Sequence, residues 1–277
     1  MSEPLRLFRT AGGPVAEQGG AFVRVGGGWD ELVNRPALAA RLRAAVARGP
    51  SAPRLEEPAL APAEGQEIWG AGVTYDRSRA ARLEESGKAG GASFYDRVYE
   101  AERPELFFKC AGWRARGPGH AVRIRRDARW SVPEPELALV INARAEIVGW
   151  TIGDDLSARD IEAENPLYLP QAKIWDGACA LGPAILVRDE PLPRDTPIGL
   201  AVARSGAAVF EGGTTLARMR RAPEQLVAYL FRETSFPAGC VLLTGTGIVP
   251  PNDFALRAGD QIEIRVPAIG TLRNAVE

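Results

Sequence analysis

Two glutamates, Glu134 and Glu136, stand at the head of an unbroken apolar run, Leu137-Ala138-Leu139-Val140-Ile141. An extended chain alternates sides with a period of two, so both carboxylates fall on one face. Pro133 and Pro135 hold this stretch extended. Two anions that close repel one another unless something positive lies between them. The next apolar run ends in Gly153-Asp154-Asp155-Leu156-Ser157, and Asn142-Ala143-Arg144-Ala145 supplies a turn between the two runs. A hairpin folded there brings Asp154 or Asp155 back to the level of Glu134 and Glu136. Three carboxylates converging from strand ends make a hard-oxygen site, suited to Mg²⁺, Mn²⁺ or Ca²⁺ rather than to zinc or copper. Lysine occurs only at Lys88, Lys109 and Lys173, while 31 of the 34 basic residues are arginine. Where lysine is kept, a compact ammonium is needed that a planar guanidinium does not replace.

The elements that must position these groups are mostly strands. Runs at Ile68 to Val73, Leu106 to Cys110, Ala121 to Ile124, Glu136 to Ile141, Ile147 to Ile152, Ala184 to Val187, Val241 to Thr244 and Gln261 to Val266 are strand-like, with Gly- and Pro-rich turns between them. Helical spacing is found over Trp29 to Arg48, Asp76 to Ser86, Phe94 to Arg103 and, with a proline in its first turn, Pro223 to Glu233. There is no regular alternation of strand and helix, which excludes Rossmann and TIM-barrel architectures and leaves a β-rich α+β fold. A Pro-rich stretch from Pro50 to Pro62 divides a small N-terminal α/β domain, residues 1–62, from a larger domain, residues 63–277.

Composition narrows the function. A net charge of −1 over 277 residues argues against a nucleic-acid or anionic-membrane partner. No apolar run reaches the roughly 20 residues that span a bilayer, and no leader sequence is expected. Cys110, Cys179 and Cys240 fit neither a zinc motif nor a complete disulfide framework, so a reducing, cytoplasmic setting is expected. Gly245-Thr246-Gly247 lacks the ending of a phosphate loop and implies no nucleotide. His120, the only histidine, and Cys179 are expected to be structural, and Trp113, Trp130, Trp150 and Trp175 to form core or active-site wall.

Several stretches in order resemble the fumarylacetoacetate hydrolase superfamily. They are Pro104-Glu105-Leu106-Phe107-Phe108-Lys109, Gly117-Pro118-Gly119, Val132-Pro133-Glu134-Pro135-Glu136-Leu137-Ala138, Gly149 through Asp160, Gln171-Ala172-Lys173 and Thr244-Gly245-Thr246-Gly247. The resemblance implies a mixed-sheet roll with a smaller N-terminal domain, assembled as a homodimer or homotetramer. It implies a divalent metal, Mg²⁺ with Mn²⁺ or Ca²⁺ as alternatives, on Glu134, Glu136 and Asp155. It also assigns functional places to Lys173, Arg159 and Thr246. The substrates implied are small 2-oxo acids or 1,3-dicarbonyls, whose enolate the metal and the Lys173 ammonium stabilise.

Hydrolytic members carry His-x-x-Glu after the Gly-x-Asn-Tyr strand end. Here Gly72-Val73-Thr74-Tyr75 is followed by Ser78 and Ala81 at the dyad positions, so the base that activates water is missing; Glu84 or Glu85 could replace it only after a shift. The run from Asp154 to Lys173 resembles instead a dehydratase branch acting on 2-oxo-3-deoxy sugar acids, of the 2-keto-3-deoxy-D-arabinonate to 2,5-dioxopentanoate type. Such a lyase needs no water nucleophile. Lys173 and Glu105 are the expected catalytic groups, with Glu162 or Glu164 as further candidates for moving protons. Arg159, Glu162 and Thr246 are expected to bind substrate, and Lys109 to bind a substrate carboxylate or pair with a ligand carboxylate. Competing readings are a C–C bond hydrolase of acylpyruvate or fumarylacetoacetate-like substrates and a metal-binding protein without turnover.

Overall fold

The computed structural model of the chain describes residues 3–76 and 97–277. The strands in chain order are β1 (Arg6–Thr10), β2 (Gly13–Gln18), β3 (Ala21–Arg24), β4 (Glu67–Gly72), β5 (Glu105–Ala111), β6 (Ser131–Val132), β7 (Pro135–Ile141) and β8 (Ile147–Asp155). They continue with β9 (Ser157–Ala158), β10 (Cys179–Val187), β11 (Pro197–Arg204), β12 (Ala207–Thr215), β13 (Cys240–Leu243), β14 (Gln261–Val266) and β15 (Gly270–Ala275). Among the described residues, nine strands form one mixed sheet in the order β3-β2-β1-β10-β8-β7-β13-β4-β5, and four form a second in the order β12-β11-β14-β15. This is the β-rich α+β class expected.

Strand β7 carries Glu136. All seven of its residues are buried, because both of its faces are covered. Leu137, Leu139 and Ile141 face the main core together with Ile198, Leu200 and Val202 of the second sheet. The alternate residue Val140 packs into a separate cluster with Leu32, Leu42 and Ile185. Residues 1–62 therefore extend the large sheet: β1 pairs antiparallel with β10, and the helices α1 (Trp29–Val33) and α2 (Leu38–Arg48) cover that end.

Some elements depart from the sequence pattern. The continuous helix expected over Trp29 to Arg48 is broken between Val33 and Leu38, where Pro36 interrupts it and Ala37 takes a left-handed conformation with φ 54°. Ala121 to Ile124 makes a single bridge, Val122 to Val276, instead of a strand. Strands β11, β12 and β15 were not signalled, since β12 in particular is exposed along most of its length and carries two glycines. Residues 77–96, which hold Ser78, Ala81, Glu84, Glu85, nearly all of the helix expected over Asp76 to Ser86 and the first three residues of that expected over Phe94 to Arg103, lie outside the described residues.

Candidate active site

The hairpin of β7 and β8 places Pro135 opposite Asp154 and Glu136 opposite Gly153. Its turn is closed by the Asn142 side chain, which accepts N–H bonds from Arg144 and Glu146. The backbone N–H of Asp155 donates to the Glu134 carbonyl at 3.0 Å, so the two strand ends are tied together where their carboxylates meet. The short pair β6–β9 then aligns Val132 with Ser157 and turns the chain into helix α3 (Arg159–Glu164). Helix α4 (Leu169–Lys173) follows and delivers Lys173 from its last turn.

Glu134, Glu136 and Asp155 are all buried, and each offers a carboxylate oxygen within 4.8 Å of the others. Of the two aspartates that spacing leaves open, Asp155, the one the resemblance implies, belongs to this cluster. Asp154 points away: its Oδ1 accepts the Glu134 N–H at 3.0 Å. The split follows from alternation along β8, which sends neighbouring side chains to opposite faces.

Three cations face these acids. Lys173 Nζ donates to Glu134 Oε2 at 2.7 Å, to Asp155 Oδ2 at 3.1 Å and to Ser157 Oγ at 2.5 Å. Arg159 reaches Glu134 Oε1 at 3.2 Å. Lys109 forms an ion pair with Asp155 Oδ1 at 2.5 Å. Among the described residues Glu136 receives no such ion pair; its Oε2 accepts the Gly245 N–H at 2.5 Å. Burial first, then the charges of Asp155 and Glu134, push its carboxyl well above the usual carboxylate range, against the pull of Lys173. Burial also pushes Asp154 up to about 7, opposed by the Glu134 N–H. A buried carboxylate held among like charges is what a divalent cation stabilises, and the all-oxygen donor set matches a hard metal ion. The residues therefore fit such an ion.

Gly245 is required by this geometry. Its φ is +89°, and a Cβ there would lie 2.0 Å from Thr74 Oγ1. The turn it permits lets the end of β13 approach Glu136 and sets Thr246 in the wall of the cleft. Glu105, Glu162, Arg159, Thr246 and Lys173 all line that cleft beside the three acids, with Phe107 and Leu169 as apolar wall. Glu105 lies so close to the strand beside it that a Cβ on Gly72 would stand 2.1 Å from its Oε2. Glu164, two residues beyond Glu162, is exposed on the other side of α3.

Lys109 does not line the cleft. It is 0% exposed and sits behind Asp155. Ser157 and Phe107 had no assigned role in the sequence reading, though both lie within the quoted stretches. The Lys173 ammonium lies 5.6 Å from the centre of the Phe107 ring, an arrangement that favours the cation. His120 is exposed in a turn, and Cys110, Cys179 and Cys240 are buried free thiols. Trp150 is core and Trp130 and Trp175 are half-buried, but Trp113 departs from the expectation: it stands 73% exposed on the turn after β5, stacked with Arg114.

Residues 68–277 match the fumarylacetoacetate (FAA) hydrolase C-terminal family, and the chain belongs to it. More particular likenesses fall within that family. The chain is 45% identical over 218 residues to 2-dehydro-3-deoxy-D-arabinonate dehydratase of Saccharolobus solfataricus, covering 78% of this chain and 73% of that protein. It is 44% identical over 219 residues to a probable 2-keto-3-deoxyxylonate dehydratase of Haloferax volcanii, covering 79% and 74%. A structure of 2-keto-3-deoxy-D-arabinonate dehydratase complexed with magnesium and 2,5-dioxopentanoate superposes with a TM-score of 0.83 at 34% identity, covering 99% of this chain and 98% of that one.

Proposed function

We propose that this protein is a divalent-metal-dependent hydro-lyase that removes water from a 2-oxo-3-deoxy sugar acid, of the 2-keto-3-deoxy-D-arabinonate to 2,5-dioxopentanoate type. The observation that carries the reading is the buried Glu134–Glu136–Asp155 cluster with the Lys173 ammonium laid across it, in a chain 44–45% identical to named sugar-acid dehydratases. Glu134, Glu136 and Asp155 would hold Mg²⁺. The bound ion supplies positive charge that polarises a 2-oxo acid and eases loss of its C3 proton.

The chain's own residues do the rest. Lys173 adds a second positive charge where negative charge develops, in a site from which bulk water is largely excluded. Glu105, on the cleft wall, takes the C3 proton and supplies the proton with which the C4 hydroxyl leaves as water. Hydrogen then shifts from C5 to C3, leaving a C4–C5 enol, and the proton of the C5 hydroxyl moves to C4 to give the terminal aldehyde. Arg159 and Thr246 bind the polar ends of the substrate, and Glu162 accepts from its hydroxyls. Nothing in this sequence of steps calls for an activated water nucleophile. The reading includes a homodimer or homotetramer in the cytoplasm, which ultracentrifugation of the purified protein and cell fractionation test.

The direct test is incubation of the purified protein with Mg²⁺ and 2-keto-3-deoxy-D-arabinonate. Formation of an aldehyde without new acid fragments is the expected result. Release of two acid fragments from an acylpyruvate, with no aldehyde from the sugar acid, would replace this reading with hydrolysis.

A further inference from the structure

Lys109 is the most completely enclosed cation near the site. It projects from β5, is 0% exposed, and its ammonium faces three oxygens, an ion-pair partner and two hydrogen-bond acceptors. One is Asp155 Oδ1 at 2.5 Å. The others are backbone carbonyls, that of Leu156 at 2.9 Å and that of Lys173 at 2.5 Å. The Trp175 ring stands 5.4 Å away on a further side. Asp155 lines the cleft and Lys109 does not.

The pattern of these contacts is informative. Asp155 is gripped from both sides, Oδ1 by Lys109 and Oδ2 by Lys173. Lys109 also holds the carbonyl of the very residue whose ammonium touches the other oxygen. It therefore links three things: the charge on Asp155, the backbone just after β8, and the end of helix α4 that sets the position of Lys173. An arginine would not substitute, because its longer, planar fork cannot sit among three convergent oxygens in so small a space. This gives the survival of lysine at 109 in an arginine-biased chain a physical reason.

We propose that Lys109 is a positioning residue that orients the Asp155 carboxylate toward a divalent cation while fixing the backbone from which Lys173 reaches the same carboxylate. The inference rests on the dehydratase reading for its kinetic consequence but not for its effect on metal binding. Groups that orient a metal ligand typically alter metal affinity by about 10–100-fold when removed.

The test is Lys109→Met beside Lys109→Gln, with folding checked by circular dichroism and thermal melting. Gln keeps amide protons for the two carbonyls while removing the charge, so it serves if the Met variant fails to fold. Calorimetric titration of each metal-free protein with Mg²⁺ alone is expected to show affinity about 10–100-fold weaker than in the parent. At saturating Mg²⁺, turnover of the sugar acid should fall about tenfold or more, with KM within about threefold of the parent. Parental Mg²⁺ affinity in a folded variant overturns the proposal. So does a raised KM with kcat unchanged, which would make Lys109 a substrate contact. If the parent protein binds Mg²⁺ yet dehydrates nothing, the functional reading fails while the titration still decides the role of Lys109.

Discussion

Two groups of charges in this molecule have similar chemistry and opposite surroundings. In the cleft, Glu134 and Asp155 lie within 2.5–3.2 Å of Lys109, Arg159 and Lys173, and all five side chains are 4% exposed or less. On the second sheet, Glu263 is held by Arg265 at 2.6 Å and Arg273 at 2.7 Å, with both arginines more than 60% exposed. Distances alone would rank the two as equals. The difference is water: around Glu263 it screens the pairing and solvates each partner if the pair breaks, whereas in the cleft a charge that loses its partner has nowhere to go. The buried group therefore has defined geometry and the exposed one does not need it. Between them stands Asp260, itself 0% exposed but paired with an Arg204 side chain that is 26% exposed.

Four substitutions probe this contrast. Glu136→Gln should have the largest effect, with metal affinity lost and turnover reduced by about 10³-fold or more, since the ion's contribution is worth several kcal/mol. The amide oxygen still accepts the Gly245 N–H, so the fold should persist. Mg²⁺ titration with a parallel melting curve checks both, and undiminished Mg²⁺ binding would count against the metal assignment. Next, Lys173→Met should lower kcat by about 10²–10³-fold, as loss of one preorganised positive group does. Steady-state kinetics at saturating Mg²⁺ measure it.

Asp260→Asn should leave kinetics unchanged and cost about 2 kcal/mol of stability, because it breaks a two-pronged charge-assisted contact with Arg204 at 2.8 Å on each oxygen. Burial pushes the Asp260 carboxyl up, but bonds from Arg204 and the Arg257 N–H outweigh it and hold the group below its ordinary value. A carboxylate depressed in the folded state stabilises fully above its unfolded pKa of about 3.9 and loses that contribution as pH falls through the lower folded value. The parent should therefore lose stability on acidification through that window by more than the Asn variant does, which denaturant titrations from neutral to acid pH would reveal. Smallest of all, Glu263→Gln should change stability by less than about 1 kcal/mol, and the change should shrink further in high salt. A large loss there would mean that exposure is the wrong basis for the contrast.

The same contrast explains how much could be read from the chain beforehand. The hairpin was legible because a long apolar run, a turn and a second apolar run leave few ways to pair, and the Glu134-Pro135-Glu136 spacing fixes one face. Spacing did not show which of Asp154 and Asp155 joins the cluster; only the family resemblance pointed to Asp155. Alternation separates the two but does not say which face is which until β8 is seen packed between β7 and β10. Lys109 and Lys173 stood out by rarity, yet only the fold shows that one lines the cleft and the other stands behind Asp155. Ser157 gave no signal of its own; its hydroxyl matters because β9 pairs with β6. Strand β15 was missed because its pattern, Gly270-Thr271-Leu272-Arg273-Asn274-Ala275, has too few apolar residues to show a period, and its place is fixed by pairing with β14.

The insertion of β13 between β7 and β4 has a consequence for biosynthesis. Glu136 and the Gly245 N–H that it accepts are 109 residues apart, and β13 pairs antiparallel with β7 but parallel with β4. A growing polypeptide leaves the ribosome with all three acids and both nearby ammonium groups already made, yet with an open slot where β13 will lie. Until that slot is filled, the apolar margin of β7 is free to pair with another molecule. Release from the ribosome and closure of the large sheet must therefore follow closely, and a chain that stalls before residue 240 is the form most exposed to aggregation.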